Sequence, residues 1–192
     1  MNHPTRKEQI LAVAETLFRE KGYLATSMRD IADGLNMKGG GSLYAHIKGK
    51  EELLAHIANT AADAFFAAHE SAPQQGLSAL EKLYEAMIAH MLVITAHLSA
   101  AAVYFDEWRH LGEPSRSAFL ERRDAYESKF RILIKNGITT GELAPADDRL
   151  ATLHVLSAMN AIRHWYKPNG RLSADQIAEV IAGMLLDGLK RR

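Results

Sequence analysis

The 192-residue chain predicts an all-α fold: an N-terminal three-helix head followed by a larger C-terminal helical bundle. Three observations carry that expectation. Apolar residues recur every three to four positions almost throughout, and no stretch alternates apolar and polar residues over a useful length. Alanine is abundant and proline occurs five times, so few positions break a helix. Capping-box pairs, Thr5 with Glu8 and Ser173 with Gln176, stand at the starts of the first and last periodic segments.

Taken in order, the first helix runs from about residue 5 to Lys21, with Ile10, Leu11, Ala14, Leu17 and Phe18 on its apolar face and Gly22 as its stop. Ser27 caps a short helix from Met28 to about Leu35, whose inner side is Met28, Ile31, Ala32 and Leu35. A third short helix spans Ser42 to Ile47. Gly49 ends it, and a connecting fourth helix starts near Lys50 with Glu51 and Glu52 in its first turn and continues to about His69. The stretch from Ser71 to Gly76 is the clearest break. Further helices are expected over about 77–98, 100–111, 115–136, 147–166 and 174–190, with Pro114 and Asn136-Gly137 as punctuation, about nine helices in all.

The totals exclude several classes. The absence of cysteine rules out disulfides and thiolate metal sites. No apolar run reaches the length of a membrane span, and the polar N-terminus does not read as a signal peptide, so a cytoplasmic protein without membrane contact is expected. The formal net charge is zero, yet residues 1–50 carry a surplus of three positive charges, with Lys38, Lys48 and Lys50 flanking three consecutive glycines. A phosphate-binding P-loop would need Gly-x4-Gly-Lys-Ser/Thr; Gly49-Lys50 is followed by Glu51 and the upstream position is Tyr44, so that reading fails.

Three short helices within about 45 residues have the dimensions of a helix-turn-helix module. Ile10, Leu17, Phe18, Ile31, Leu35, Leu43 and Ile47 can fill its core, leaving Ser42, Tyr44, Ala45 and His46 to face outward. The run TSMRDIADGLNMKGGGSLYAHIKGKEELL, residues 26–54, resembles the DNA-binding signature of the TetR/AcrR family of bacterial regulators. That resemblance implies a ligand-responsive repressor without enzymatic activity, bound to a double-stranded DNA operator. It implies backbone contacts from Thr26, Ser27 and Arg29, a recognition helix and entry formed by Lys38, Gly41, Ser42, Leu43, Tyr44 and His46, and a phosphate contact from Lys50. Residues 1–49 would form the DNA-binding domain, and residues 50–192 the ligand-binding and dimerisation domain. The sequence departs from the family pattern in one extra glycine before Ser42, and in Asn36 where a turn glycine is common; asparagine tolerates the left-handed conformation. The alternative is a helical interaction protein of the same fold that no longer reads DNA.

The last two expected helices point to a partner. Between Ser173 and Leu189 the apolar residues cover most of the helix circumference, which calls for cover on more than one side. The family dimerises through its last two helices, so a homodimer on a roughly palindromic operator is expected. Phe119, Arg123, Tyr126, Phe130 and Leu133 fall on one stripe. An arginine there either reaches the edge or pairs with Asp106 or Glu107, or else awaits an anionic ligand. Trp108-Arg109 and Arg163-His164-Trp165-Tyr166 repeat the mixture of cation and aromatic ring. The segments FDEWRHL, FLERRDAYESKFRILIKNGITTGEL and NAIRHWYKPNGRLS resemble a TetR branch that senses acyl-CoA thioesters. An acyl-CoA is therefore the candidate effector, with Met91, Tyr104, Trp108, Arg109, Phe119, Arg123, Tyr126, Phe130, Arg163 and Trp165 as candidate ligand residues. His90 and His97 share a helix face, but zinc favours closer spacing with further ligands, so neither a metal nor another cofactor is expected.

Overall fold

A computed structural model describes residues 4–37 and 43–190. The described residues form α-helices α1 (Arg6–Lys21), α2 (Met28–Gly34), α3 (Lys50–Ser71), α4 (Ala79–Ala96), α5 (Leu98–Asp106), α6 (Ser115–Thr140), α7 (Asp148–Asn160), α8 (Ile162–Trp165) and α9 (Ala174–Leu189), with a single 3-10 turn at Trp108–His110. An isolated bridge between Leu143 and Lys190 is the sole β-type pairing among them. No single helix among the described residues is long and apolar enough to cross a membrane.

Helix boundaries follow the local chemistry. Both expected capping boxes form, at Thr5–Glu8 and Ser173–Gln176, and two more appear at Ser27–Asp30 and Ser78–Glu81. Gly22 ends α1 at φ +84°, in the region that favours glycine. Asn36 takes the left-handed turn position at φ +55°, as its side chain allows.

Three expected boundaries move, each for a local reason. α6 runs past Asn136-Gly137 to Thr140, because Gly137 is there to admit a neighbour. A Cβ at that position would meet Leu143 Cδ1 at 2.7 Å, and the Gly137 carbonyl accepts the Leu143 N–H at 3.0 Å. The stop falls instead on Gly141, at φ +79°. The helix expected over 147–166 divides into α7 and α8 at Ala161. Next to the break, Arg163 Nη1 donates to the Asn160 carbonyl at 2.6 Å, and the Asn160 side chain is drawn to His90. The helix expected over 100–111 closes at Asp106 and tightens into the 3-10 turn.

The chain divides into two compact units. One comprises residues 1–62 and 99–120, the other residues 63–98 and 121–192, so α3 and α6 each supply residues to both. In the first, α1 packs on α2, and Ile10, Ala14, Phe18, Ile31, Leu43, Leu53, Leu54 and Ile57 are buried. In the second, α4 lies along α9 and also meets α7 and α8, around Leu83, Met87, Met91, Phe130, Val155, Met159, Ile162 and Ala182.

Candidate nucleic-acid interface and effector residues

Ser27 starts α2 and shares a reciprocal cap with Asp30, whose carboxylate accepts from the Ser27 N–H and hydroxyl. Those bonds, led by the Ser27 hydroxyl and helped by Lys21, hold the Asp30 pKa down at about 2. Arg29 stands almost fully in solvent and makes a 3.9 Å ion pair to Asp33. Leu43 to Ile47 make a helical turn closed by the His46 and Ile47 N–H groups on the Leu43 carbonyl, at 2.9 and 3.1 Å. Leu43 and Ile47 are buried by this turn, while Tyr44, Ala45 and His46 are exposed, Tyr44 to 57%. Lys38, Gly41 and Ser42, together with the extra glycine, lie outside the described residues.

Two residues expected at the DNA surface face inward instead. Thr26 is 1% exposed and its hydroxyl donates to the carbonyls of Leu17 and Gly22, which ties the α1–α2 loop to α1. Leu43 is fully buried. A third is committed within the protein: Lys50 Nζ donates to the carbonyls of Tyr23 at 2.7 Å and Thr26 at 2.9 Å, and lies 4.2 Å from the centre of the Tyr23 ring.

The candidate effector residues separate by unit. Tyr104, Trp108, Arg109 and Phe119 belong to the first. Three of them form an aromatic group, with Phe119 ring centroids 5.0 Å from Tyr104 and 5.7 Å, stacked, from Trp108, while Arg109 is exposed. Met91, Arg123, Tyr126, Phe130, Arg163 and Trp165 belong to the second. Tyr126 and Phe130 are buried ring neighbours at 5.6 Å, Met91 is fully buried, and Arg123 and Arg163 are half-buried. Trp165 is 51% exposed and borders a surface cleft of about 330 Å³ with Lys167, Arg171, Leu172, Ile177 and Val180.

Sequence reasoning missed the polar centre of the second unit. His90 is buried with both ring nitrogens engaged, Nδ1 to the Tyr126 hydroxyl at 3.0 Å and Nε2 to Asn160 Oδ1 at 2.9 Å. The neutral ring fits this pairing: Nε2–H donates to the amide oxygen and Nδ1 accepts the phenol proton. Burial, opposed by the Asn160 bond and reinforced by His69, lowers the His90 pKa to about 4. Phe65 stacks on His90 at 4.9 Å, and His69 Nδ1 is buried without a hydrogen-bond partner among the described residues. The available signal was a histidine on the inner apolar face of α4, between Met87, Met91 and Ile94.

A short helical head with an exposed Arg29, Tyr44 and His46, joined to a helical bundle, defines a helix-turn-helix regulator. The comparisons agree. Residues 10–57 match the family described as bacterial regulatory proteins, tetR family, and residues 76–189 match the tetracyclin repressor-like C-terminal domain. The chain belongs to the TetR family and is a DNA-binding transcriptional regulator rather than an enzyme. It is 31% identical over 187 residues to the HTH-type transcriptional repressor KstR2 of Rhodococcus jostii, covering 96% of this chain and 91% of that protein. The solved structure of the ketosteroid transcriptional regulator KstR2 of Mycobacterium tuberculosis superposes with a TM-score of 0.92 at 27% identity, covering 100% of this chain and 98% of that one. AibR, solved in complex with isovaleryl coenzyme A and operator DNA, gives a TM-score of 0.82 at 28% identity, covering 95% and 98%.

Proposed function

We propose that the protein is a cytoplasmic repressor that holds a roughly palindromic operator as a homodimer and is released by an acyl-CoA thioester. Residues 1–49 read DNA and residues 50–192 bind the effector and dimerise. The observation that carries the effector class is the likeness to AibR, whose solved complex holds isovaleryl coenzyme A together with operator DNA. The exposure of Ser27, Arg29, Tyr44 and His46 supports a reading in which these side chains meet the duplex. Phosphate contacts fix register and base edges in the major groove carry specificity.

Dimerisation is supported by the two-sided apolar character of α9. Ala178, Ala182 and Leu186 are buried on one side, while Val180 and Met184 are 49% and 70% exposed on another. Leu150 and Leu153 of α7 and Trp165 are likewise exposed. Apolar surface grouped on the last helices fits a second copy of the chain.

Within the second unit the effector reading is supported by the half-buried Arg123 and Arg163, cations suited to an anionic group, and by the half-exposed Trp165 beside its surface cleft. Isothermal titration with a panel of acyl-CoA thioesters tests it. Binding of at least one is expected, and Arg123→Ala weakens it by about 1.5–3 kcal/mol, the range for a hydrogen bond to a charged group. No heat with any member of the panel removes the acyl-CoA reading; unchanged affinity in the variant makes Arg123 structural.

A further inference from the structure

The break between α7 and α8 falls where the sequence has no breaker: residues 157–164 hold neither proline nor glycine. We infer that Asn160 is a positioning residue for effector binding. It ends α7, sets the direction of α8 and so fixes where Arg163 and Trp165 stand, a role that rests on the reading of those two residues as effector groups. Asn160 is held twice. Its side-chain oxygen accepts the His90 Nε2–H at 2.9 Å, and His90 is fixed in turn by the Tyr126 hydroxyl at 3.0 Å and by the Phe65 ring stacked on it at 4.9 Å. Its carbonyl accepts Arg163 Nη1 at 2.6 Å.

The backbone registers the second hold. In a continuous α-helix the Asn160 carbonyl would accept the His164 N–H, four residues on. That carbonyl is taken by Arg163, and the His164 N–H donates instead to the Ala161 carbonyl, three residues back, at 3.1 Å. Ala161, at φ −63° and ψ −20°, has the 3-10 geometry that fits the shorter bond. A 3-10 step turns the chain by about 120° per residue, against about 100° in an α-helix. Side chains beyond the step therefore point elsewhere than an unbroken helix would send them. Ile162, fully buried, pins the first residue of α8, and Trp165 stands half-exposed beside the cleft it shares with Lys167, Arg171 and Val180. Alanine at position 160 would lose the hold on His90 and favour the α-helix by its own propensity, so that α7 runs on into α8.

The test labels the full chain with 5-fluorotryptophan, which gives one fluorine resonance for Trp108 and one for Trp165, the two tryptophans of the sequence; Trp165→Phe assigns them. Without ligand, Asn160→Ala is expected to move the Trp165 resonance and leave that of Trp108, since a general loss of packing would move both. Asn160→Asp keeps the acceptor oxygen and should leave both in place. Asn160→Gln sets the amide one methylene further out and should act as alanine does, which decides the matter if the alanine chain fails to fold. A Trp165 resonance unmoved by alanine and glutamine, or moved as far by aspartate as by alanine, overturns the proposal. Isothermal titration of the same chains with isovaleryl coenzyme A and the wider acyl-CoA panel is the second arm. Asn160→Ala should weaken the thioester that binds the wild type roughly ten- to a hundredfold, the range for losing a hydrogen bond to a charged group, and Asn160→Asp should bind within about threefold of the wild type. Equal affinity in the wild type and Asn160→Ala overturns the role in effector binding while the effector reading stands. If no thioester binds the wild type, the effector reading falls by itself, and the fluorine resonances still decide whether Asn160 sets the direction of α8.

Discussion

At the scale of single residues, the most consequential side chain in the bundle is one that titrates abnormally. His90 is neutral because burial disfavours its charged form, and its two nitrogens match a phenol and an amide oxygen only when the ring carries one proton. The free side chain titrates near 6.5. As pH falls below that value, the unfolded chain takes up a proton that the folded chain refuses until about 4. Stability is therefore fully present above pH 6.5, declines between 6.5 and 4, and has no further dependence on this group below 4. The loss is on the order of 3 kcal/mol. Urea denaturation at pH 7, 6 and 5 should show the midpoint dropping in the wild type, with a shallower drop in His90→Gln, which cannot titrate. Equal slopes for the two chains contradict the assignment. The histidine was visible in the sequence, but its partners Tyr126 and Asn160 lie 36 and 70 positions away, and no local pattern links them.

At the scale of elements, helix starts were legible because they are written locally. A serine or threonine three residues before a glutamate or glutamine announces itself, and the caps at Thr5 and Ser173 form as expected. Helix ends were less legible where tertiary neighbours decide them. Asn136-Gly137 has the composition of a turn, yet Gly137 stays helical because Leu143 occupies the space a side chain would need. Asn160 has no breaker beside it, yet its carbonyl and side chain are claimed by Arg163 and His90. The site residues divide along the same line. Exposure of Tyr44 and His46 followed from helical periodicity, whereas the inward hydroxyl of Thr26 and the engaged ammonium of Lys50 depend on how the α1–α2 loop folds back. The outer face of α9 gives an element-scale prediction. Met184→Glu places a charge in the middle of the proposed dimer contact, where burial without a partner costs several kcal/mol. The variant should sediment as a monomer at concentrations where the wild type is a dimer; an unchanged sedimentation coefficient puts the contact elsewhere.

At the scale of the whole molecule, regulation requires that DNA binding and effector binding belong to one equilibrium. A ligand shifts a population only by its differential affinity for the two states, so an acyl-CoA that favours a head spacing unsuited to the operator releases it, and the operator in turn weakens the acyl-CoA. α3 and α6 each run through both compact units, which makes them the continuous elements along which such a change can pass. The most direct test is the fluorescence anisotropy of a labelled duplex selected by the protein, titrated with the acyl-CoA panel at fixed salt. At least one thioester is expected to lower the anisotropy to that of free duplex, while coenzyme A without the acyl group does not. Anisotropy that stays at the bound value across the whole panel contradicts it.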